Sequence, residues 1–493
     1  MRITLEPLRL RRATLFGVIA WAICQGVELP AWADTIGQAL IRAYESNPQL
    51  NSQRAVVRAT DEGVPQALSG YKPTITVTGQ FAQEYTSQLA KIGATRSVTV
   101  PTLPTGTATV SVPTAGAVYP RTDFGYSPSS VQVTATQTLY NGFQTANRTR
   151  LAEANTSAAR ETLRVTEQTI LLNAATAYMD LLRDGALLEL QRRNVEVLQE
   201  QLRQTRARFM VGEVTRTDVA QAESSLAQGR ASVLTAVSNY ARSRAAYRLV
   251  IGVESAALVP AAPVDRLTPR RLVDAVAIGR ARHPNVGVVM FGIDAVVLQV
   301  KINEGSLYPQ VRLAGTVPQS WETNLTTTLQ QFNAFVQGQV TIPLYQGGAE
   351  YSLIRQAKET AGQKRIDLDT ARDAVQATVV TTWGQFEAAK AQILATQAQV
   401  AASEIALDGV REEARVGQRT TLDILNAQQA LVNARTALVT AQHDRVVASY
   451  ALVAAVGELN LPRLGLNIPL YDPMVHYQQV RDAWIGVRTP DGR

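Results

Sequence analysis

Residues 209–218, Phe209-Met210-Val211-Gly212-Glu213-Val214-Thr215-Arg216-Thr217-Asp218, decide how the chain folds, because they interrupt a long helical pattern that then resumes. No proline occurs between Pro128 and Pro260, and Ala, Gln, Glu, Arg and Leu, all good helix formers, dominate. Apolar residues recur at a spacing of seven, at Leu181, Leu188, Val195, Leu202 and Phe209. Such a repeat is the seam of a left-handed coiled coil. The pattern predicts one helix from Gln144 to Met210, about 100 Å long at 1.5 Å per residue. Gly212 suits the left-handed position that ends a helix, and Thr215-x-x-Asp218 is a capping box that starts the next.

The whole stretch occurs twice, 205 residues apart. Leu139-Tyr140-Asn141-Gly142 returns as Leu344-Tyr345-Gln346-Gly347. The turn returns at Val416-Gly417, with Thr420-x-x-Asp423 as its capping box, and the heptad series returns as Phe386, Ile393, Val400, Leu407 and Ala414. A gap-free register over this length is an internal duplication. It divides the chain into a leader (1–33), a first repeat (34–259), a second repeat (260–459) and an irregular C-terminal tail (460–493).

Residues 1–33 read as a secretory signal. Arg2, Arg9, Arg11 and Arg12 precede a short apolar run, Ala13–Cys24, and Ala31-Trp32-Ala33 is an A-x-A cleavage site. Ile23 is too large for lipoprotein processing at Cys24. Loss of the leader lowers the formal net charge from +7 to +5 and removes the sole cysteine, which excludes disulfide and thiolate chemistry. The remaining positive charge is spread out, without a basic cluster interleaved with aromatics, so nucleic acid is not an expected partner. After the leader no run approaches about 18 consecutive apolar residues, so no transmembrane helix is expected.

Within each repeat a short helix ends at an X-Pro step (Asn47-Pro48, His283-Pro284), and a second ends near Pro73 or Pro309. The period then changes from 3.6 to 2. Ile75, Val77, Gly79 and Phe81 alternate with Thr76, Thr78 and Gln80, and Val131, Val133, Ala135 and Leu139 alternate with Gln132, Thr134, Thr136 and Thr138. In the second repeat Val311, Leu313, Gly315 and Val317, then Val336, Gly338, Val340 and Ile342, do the same. Each segment, at about ten residues, has the length and the two-faced pattern of a membrane-spanning strand, and two ordinary hairpins of a soluble sheet fit the local pattern equally well. Between the first two strands lies Thr86–Ser130, longer by 31 residues than its counterpart and rich in Thr, Val, Pro, Gly and Ser; it reads as a long exposed loop.

Four strands cannot close a barrel, and open sheet edges do not persist in lipid. Three chains supply twelve strands, enough for a closed barrel with an open lumen. The expected fold is therefore mainly α with membrane β: a trimeric 12-stranded barrel, four strands per chain, continued by a long α-helical coiled-coil barrel.

The doubled unit, the Leu-Tyr-x-Gly strand ends and the two Val-Gly-x-x-Thr-x-x-Asp turns, all behind a signal peptide, resemble the TolC-like outer-membrane efflux proteins over roughly Thr35–Asn460. The resemblance implies a homotrimer in outer-membrane lipid with a large periplasmic part. It also implies docking to an inner-membrane pump through a periplasmic adaptor, and passive conduction of drugs, small molecules or secreted proteins. A periplasmic gate is implied at Asp423 and at a second carboxylate three residues on, where this chain has Asn426. The resemblance further implies a latch in which Arg419 pairs with Asp218, and another between a Tyr at position 414, here Ala414, and Thr217. The plain alternative for Gly212, Gly417, Thr215, Thr420 and the two aspartates is helix capping alone.

No catalytic constellation or cofactor fingerprint is evident. His283, His443 and His476 lack partners at metal-ligand spacing, and Gly347-Gly348 reads as a strand-to-helix corner. A periplasmic coiled-coil scaffold or adaptor is the second functional reading.

Overall fold

The computed structural model describes residues 34–102, 106–255, 257–324, 328–490 and 492. The expected leader and its cleavage site lie outside the described residues. In chain order the elements are α1 (Ile36–Ser46), α2 (Pro48–Asp61), α3 (Gly63–Leu68), β1 (Thr74–Phe81), β2 (Glu84–Leu89), β3 (Ile92–Thr102), β4 (Gly106–Val118), β5 (Arg121–Tyr126) and β6 (Ser129–Asn141). There follow α4 (Gln144–Met210), α5 (Arg216–Ile251), α6 (Leu272–Arg282), α7 (Pro284–Glu304), β7 (Gln310–Asn324), β8 (Thr328–Phe332), β9 (Phe335–Thr341), α8 (Ala349–Arg415), α9 (Thr421–Ala455) and α10 (Pro473–Val480). The 67-residue span expected for α4 is the span observed, and α8 has the same length.

Two compact units result, and each repeat contributes to both. One holds residues up to 59, 157–291 and 366–475; the other holds 60–156, 292–365 and 476 onward.

The first unit is helical. Ala39, Leu40, Ala43 and Tyr44 of α1 pack against Leu163, Ile170, Leu171, Ala174 and Tyr178 of α4, with Tyr247 and Ile251 of α5 and Val446, Tyr450 and Val453 of α9. Thr35 caps α1 in a capping box with Gln38, and Asn47 ends it before Pro48. The buried Tyr178 hydroxyl lies 2.7 Å from the Asp34 carbonyl and 2.6 Å from that of Val259, tying the start of the first repeat to the linker after α5. Burial pushes the Tyr178 phenol up to about 12. A second core joins Ala275 of α6 and Val286 of α7 to Val375, Val379 and Phe386 of α8 and Leu452 of α9.

This unit also pairs residues that looked isolated in the sequence. His443 of α9 sits 2.9 Å from Asp180 of α4 and 2.8 Å from Asp444. Arg183 reaches Asp180 at 2.8 Å and Asp184 at 2.8 Å. In the second unit His476 lies 3.1 Å from the fully buried Asp61. Asp180 and Asp61 are far in sequence from the histidines they meet, so spacing along the chain could not reveal those two contacts.

The second unit contains the sheet. β1, β6, β7 and β9 form an antiparallel set, with β8 continuing the β9 edge of β7. The register places Ile75, Ala135, Gly315 and Val336 in one row and Thr76, Thr134 and Thr316 in the neighbouring row. Because opposite residues share a face, the alternation seen in each strand becomes one apolar and one polar sheet face.

Two expectations need correction, and a third meets a segment it did not name. Thr86–Ser130 is not a loop: β2 pairs with β5, and β3 pairs with β4 beyond it. Its Thr and Val content favours strands, and its prolines are tolerated because each ladder has only two strands, both edges. The tail after Asn460 is not wholly irregular: the Asp472 carboxylate accepts the Met474 N–H at 2.8 Å, and Pro473 opens α10. Finally, Leu272–Leu307 contains a stretch long and apolar enough, by length and composition alone, to cross a membrane. Counting uninterrupted apolar residues dismissed it because Pro284 and Asp294 break the run.

Candidate functional site

Each long helix ends the same way. At the end of α4 the Gly212 N–H reaches the Phe209 carbonyl at 3.0 Å and the Glu213 N–H reaches that of Arg208 at 2.9 Å. At the end of α8 the Gly417 N–H reaches Ala414 at 3.3 Å and the Gln418 N–H reaches Glu413 at 2.9 Å. This is the Schellman pattern, and it puts Gly212 and Gly417 at φ of 79° and 81°. A side chain at either glycine meets no atom within 4 Å, so backbone conformation alone demands glycine there.

Three residues after each glycine, the next helix is capped. Thr215 accepts the Asp218 N–H at 3.3 Å, and its own N–H and hydroxyl donate to Asp218 Oδ2 at 2.8 and 2.7 Å. Thr420 and Asp423 repeat this at 3.3, 2.9 and 2.9 Å. The Thr215 hydroxyl and N–H hold the Asp218 carboxyl below the usual carboxylate range, and the Thr420 N–H and hydroxyl do the same for Asp423. Both carboxylates are therefore ionised at neutral pH.

The charges around the turns differ. In the first, Arg208 pairs with Glu213 at 2.8 Å. In the second, Arg419 pairs with Glu413 at 2.7 Å, and that contact raises the Arg419 guanidinium further above its ordinary value. Within the chain, then, Arg419 is bonded to Glu413, and the Asp218 carboxylate is bonded to Thr215. Thr217 follows Arg216 in the first turn of α5, and Asn426 is exposed on the second turn of α9. Glu413 was not singled out from sequence; its signal was an opposite charge six residues before Arg419 across a glycine turn.

The side chains preceding the turns differ too. Leu181, Leu188 and Leu202 of the heptad seam are buried, but Phe209 is 42% exposed. Ala414, at the matching place, is 6% exposed and borders a cavity of about 850 Å³ lined also by Glu200, Arg208, Arg411, Arg415 and Ile424. Leu425 of α9 packs with Leu198 and Leu202 of α4 and Ala222 and Leu226 of α5, which fixes the second turn against the first helical hairpin. No group of His, Cys, Asp and Glu suited to a metal ion occurs among the described residues.

Comparison with known proteins gives the family. Residues 39–253 and 278–458 match the family described as outer membrane efflux protein. Outer membrane efflux protein BepC of Brucella suis biovar 1 (strain 1330) is 39% identical over 464 residues, 94% of each chain. Alkaline protease secretion protein AprF of Pseudomonas aeruginosa is 27% identical over 299 residues, 59% of this chain and 61% of the other. The crystal structure of the outer membrane protein VceC from Vibrio cholerae superposes with a TM-score of 0.66 at 17% identity, covering 86% of this chain and 96% of that one.

Proposed function

The chain belongs to the outer membrane efflux protein family, and from that premise we propose that three copies assemble into a passive duct whose inner end is controlled by the second-repeat turn. It is an outer-membrane channel of an export system, with a large periplasmic part. The observation that carries the trimer is the sheet. β1 and β9 are its outer strands, and in lipid their outer edges need partners that this chain does not hold among the described residues. Three sheets of four strands close into twelve. The polar Thr and Gln rows then line the lumen and the Val and Ile rows meet acyl chains. The periplasmic scaffold reading has no use for such strands.

The gate follows from the turn. Three ionised Asp423 carboxylates around one axis attract cations, and Asn426 adds dipoles rather than charge. Arg419, bonded to Glu413 within the chain, is read here as the latch to Asp218, which it would reach by exchanging Glu413 for that partner in the assembly. Pairing with a periplasmic adaptor and an inner-membrane pump belongs to this proposal, as does a cargo of drugs, small molecules or secreted proteins. Chemical crosslinking of the detergent-extracted protein tests the assembly: trimers are expected, and a ladder ending at monomers or dimers overturns it.

A further inference from the structure

The segment after α10 presents its apolar side chains to solvent. Trp484 is 69% exposed, Ile485 97% and Val487 100%. Three large apolar residues within four positions, all uncovered, mark a contact surface rather than scatter. Their place is fixed. The Lys72 ammonium donates to the Ala483 carbonyl at 2.8 Å and lies 4.7 Å from the centre of the Trp484 ring. Lys72 stands two residues before the start of β1, so the tail is held beside the first residues of that strand.

Other features at this end of the sheet agree in character. Tyr71 and Tyr308 are exposed just before β1 and β7, and Ile75 and Val77 of β1 expose the apolar row that continues from them. Tryptophan and tyrosine settle where acyl chains meet headgroups, because one part of each ring is apolar and another hydrogen-bonds. Lysine and arginine beside such rings reach the phosphates. Lys72, Arg481 and Arg488 against Asp482 give the patch that sign.

We propose that residues 483–488 form a lipid anchor: Trp484, Ile485 and Val487 lie in the headgroup–acyl boundary of the membrane that holds the sheet, and Lys72, Arg481 and Arg488 contact anionic headgroups. The inference rests on the strands being the membrane-spanning part of the chain. Trp484 acts here as an interfacial pin that extends the apolar row of β1 onto the tail.

Intrinsic fluorescence of the full chain in vesicles of phosphatidylethanolamine and phosphatidylglycerol brominated at the upper acyl carbons tests the anchor. Subtracting the emission of W484F isolates Trp484, and subtracting that of W321F isolates a tryptophan of β7. Lipid bromines are expected to reduce Trp484 emission roughly twofold, as for an interfacial ring, while iodide in the water has little effect. Trp484 emission indifferent to bromines overturns the anchor, whether iodide reaches the ring, as for a tail in water, or does not, as for a tail covered by another copy of the chain. Trp321 separates the two failures: if bromines quench it and spare Trp484, the anchor alone falls; if both escape, the membrane reading of the strands falls too.

Discussion

At the end of α4 the exposed Phe209 precedes an Arg208–Glu213 pair; at the end of α8 the buried Ala414 precedes a Glu413–Arg419 pair. The Schellman and capping bonds recur in both turns, so the backbone is common property and the side chains carry the difference. Electrostatics separates them. Arg208 suits the negative end of α4, whereas Glu413 opposes the negative end of α8 and relies on Arg419 for compensation. The first turn thus draws its pairing cation from the helix end and the second from beyond it. On the proposed gating role, the duplicated unit keeps one geometry and specialises the copy with the crossed charge.

The strongest way to break this comparison is to remove the cation from each turn separately. If the proposed trimeric latch holds, Arg419→Ser raises basal conductance in planar bilayers about tenfold, because three symmetric latches would be lost together. Arg208→Ser is expected to leave conductance near that of the unaltered protein. Equal effects would reduce both turns to caps. Next in size is charge at the constriction. Asn426→Asp should increase cation selectivity, or block by divalent cations, several-fold. Gln221→Asp, at the matching position of the first repeat, should do neither.

The shared scaffold is sharpened by deleting one cap at a time. Thr215→Ala and Thr420→Ala should each cost about 1 kcal/mol, read as faster amide exchange in the first turns of α5 and α9. A large inequality between them would show that the two turns are not one structure used twice. The smallest effect concerns the return helices, where α9 carries His443 and α5 has Ser238 at the matching place. Burial works against the charged His443 ring, but bonds from Asp180 and Asp444 outweigh it and raise the pKa above 6.5. A raised pKa means the folded state holds the proton more tightly. The stabilisation is complete below about pH 6.5 and is lost as pH rises through the folded value. One group limits the slope to about 1.4 kcal/mol per pH unit, and His443→Gln should flatten thermal melting across that window.

Much of this was legible along the chain. The long helices, the two glycine turns and the capping boxes are local features. Residues within six positions of each other set them, so Gly212, Gly417, Thr215 and Thr420 could be read directly. The alternating strands were equally local, and their true limits differ from the expected ones by a few residues. The insert was misread because prolines and glycines were weighed as loop signals, while a two-stranded ladder accepts them at its edges. The contacts of His443 with Asp180 and of His476 with Asp61 escaped notice because each aspartate lies in another element. So did the anchoring of Trp484, whose partner Lys72 is separated from it by nearly the whole chain.

What the sequence determined by itself is therefore the duplicated unit: its helix lengths, the position of both turns and the two-faced strands, since period and capping are properties of neighbours in the chain. Only the tertiary structure decided which charges meet. It brought His443 to Asp180, buried Ala414 where Phe209 stands open, and set the strand register that gathers separate alternations into one apolar and one polar face. The reason is physical. Periodicity fixes the direction in which a side chain leaves its own element, but the partner it finds depends on how elements pack, and packing is settled by surfaces that no single stretch contains.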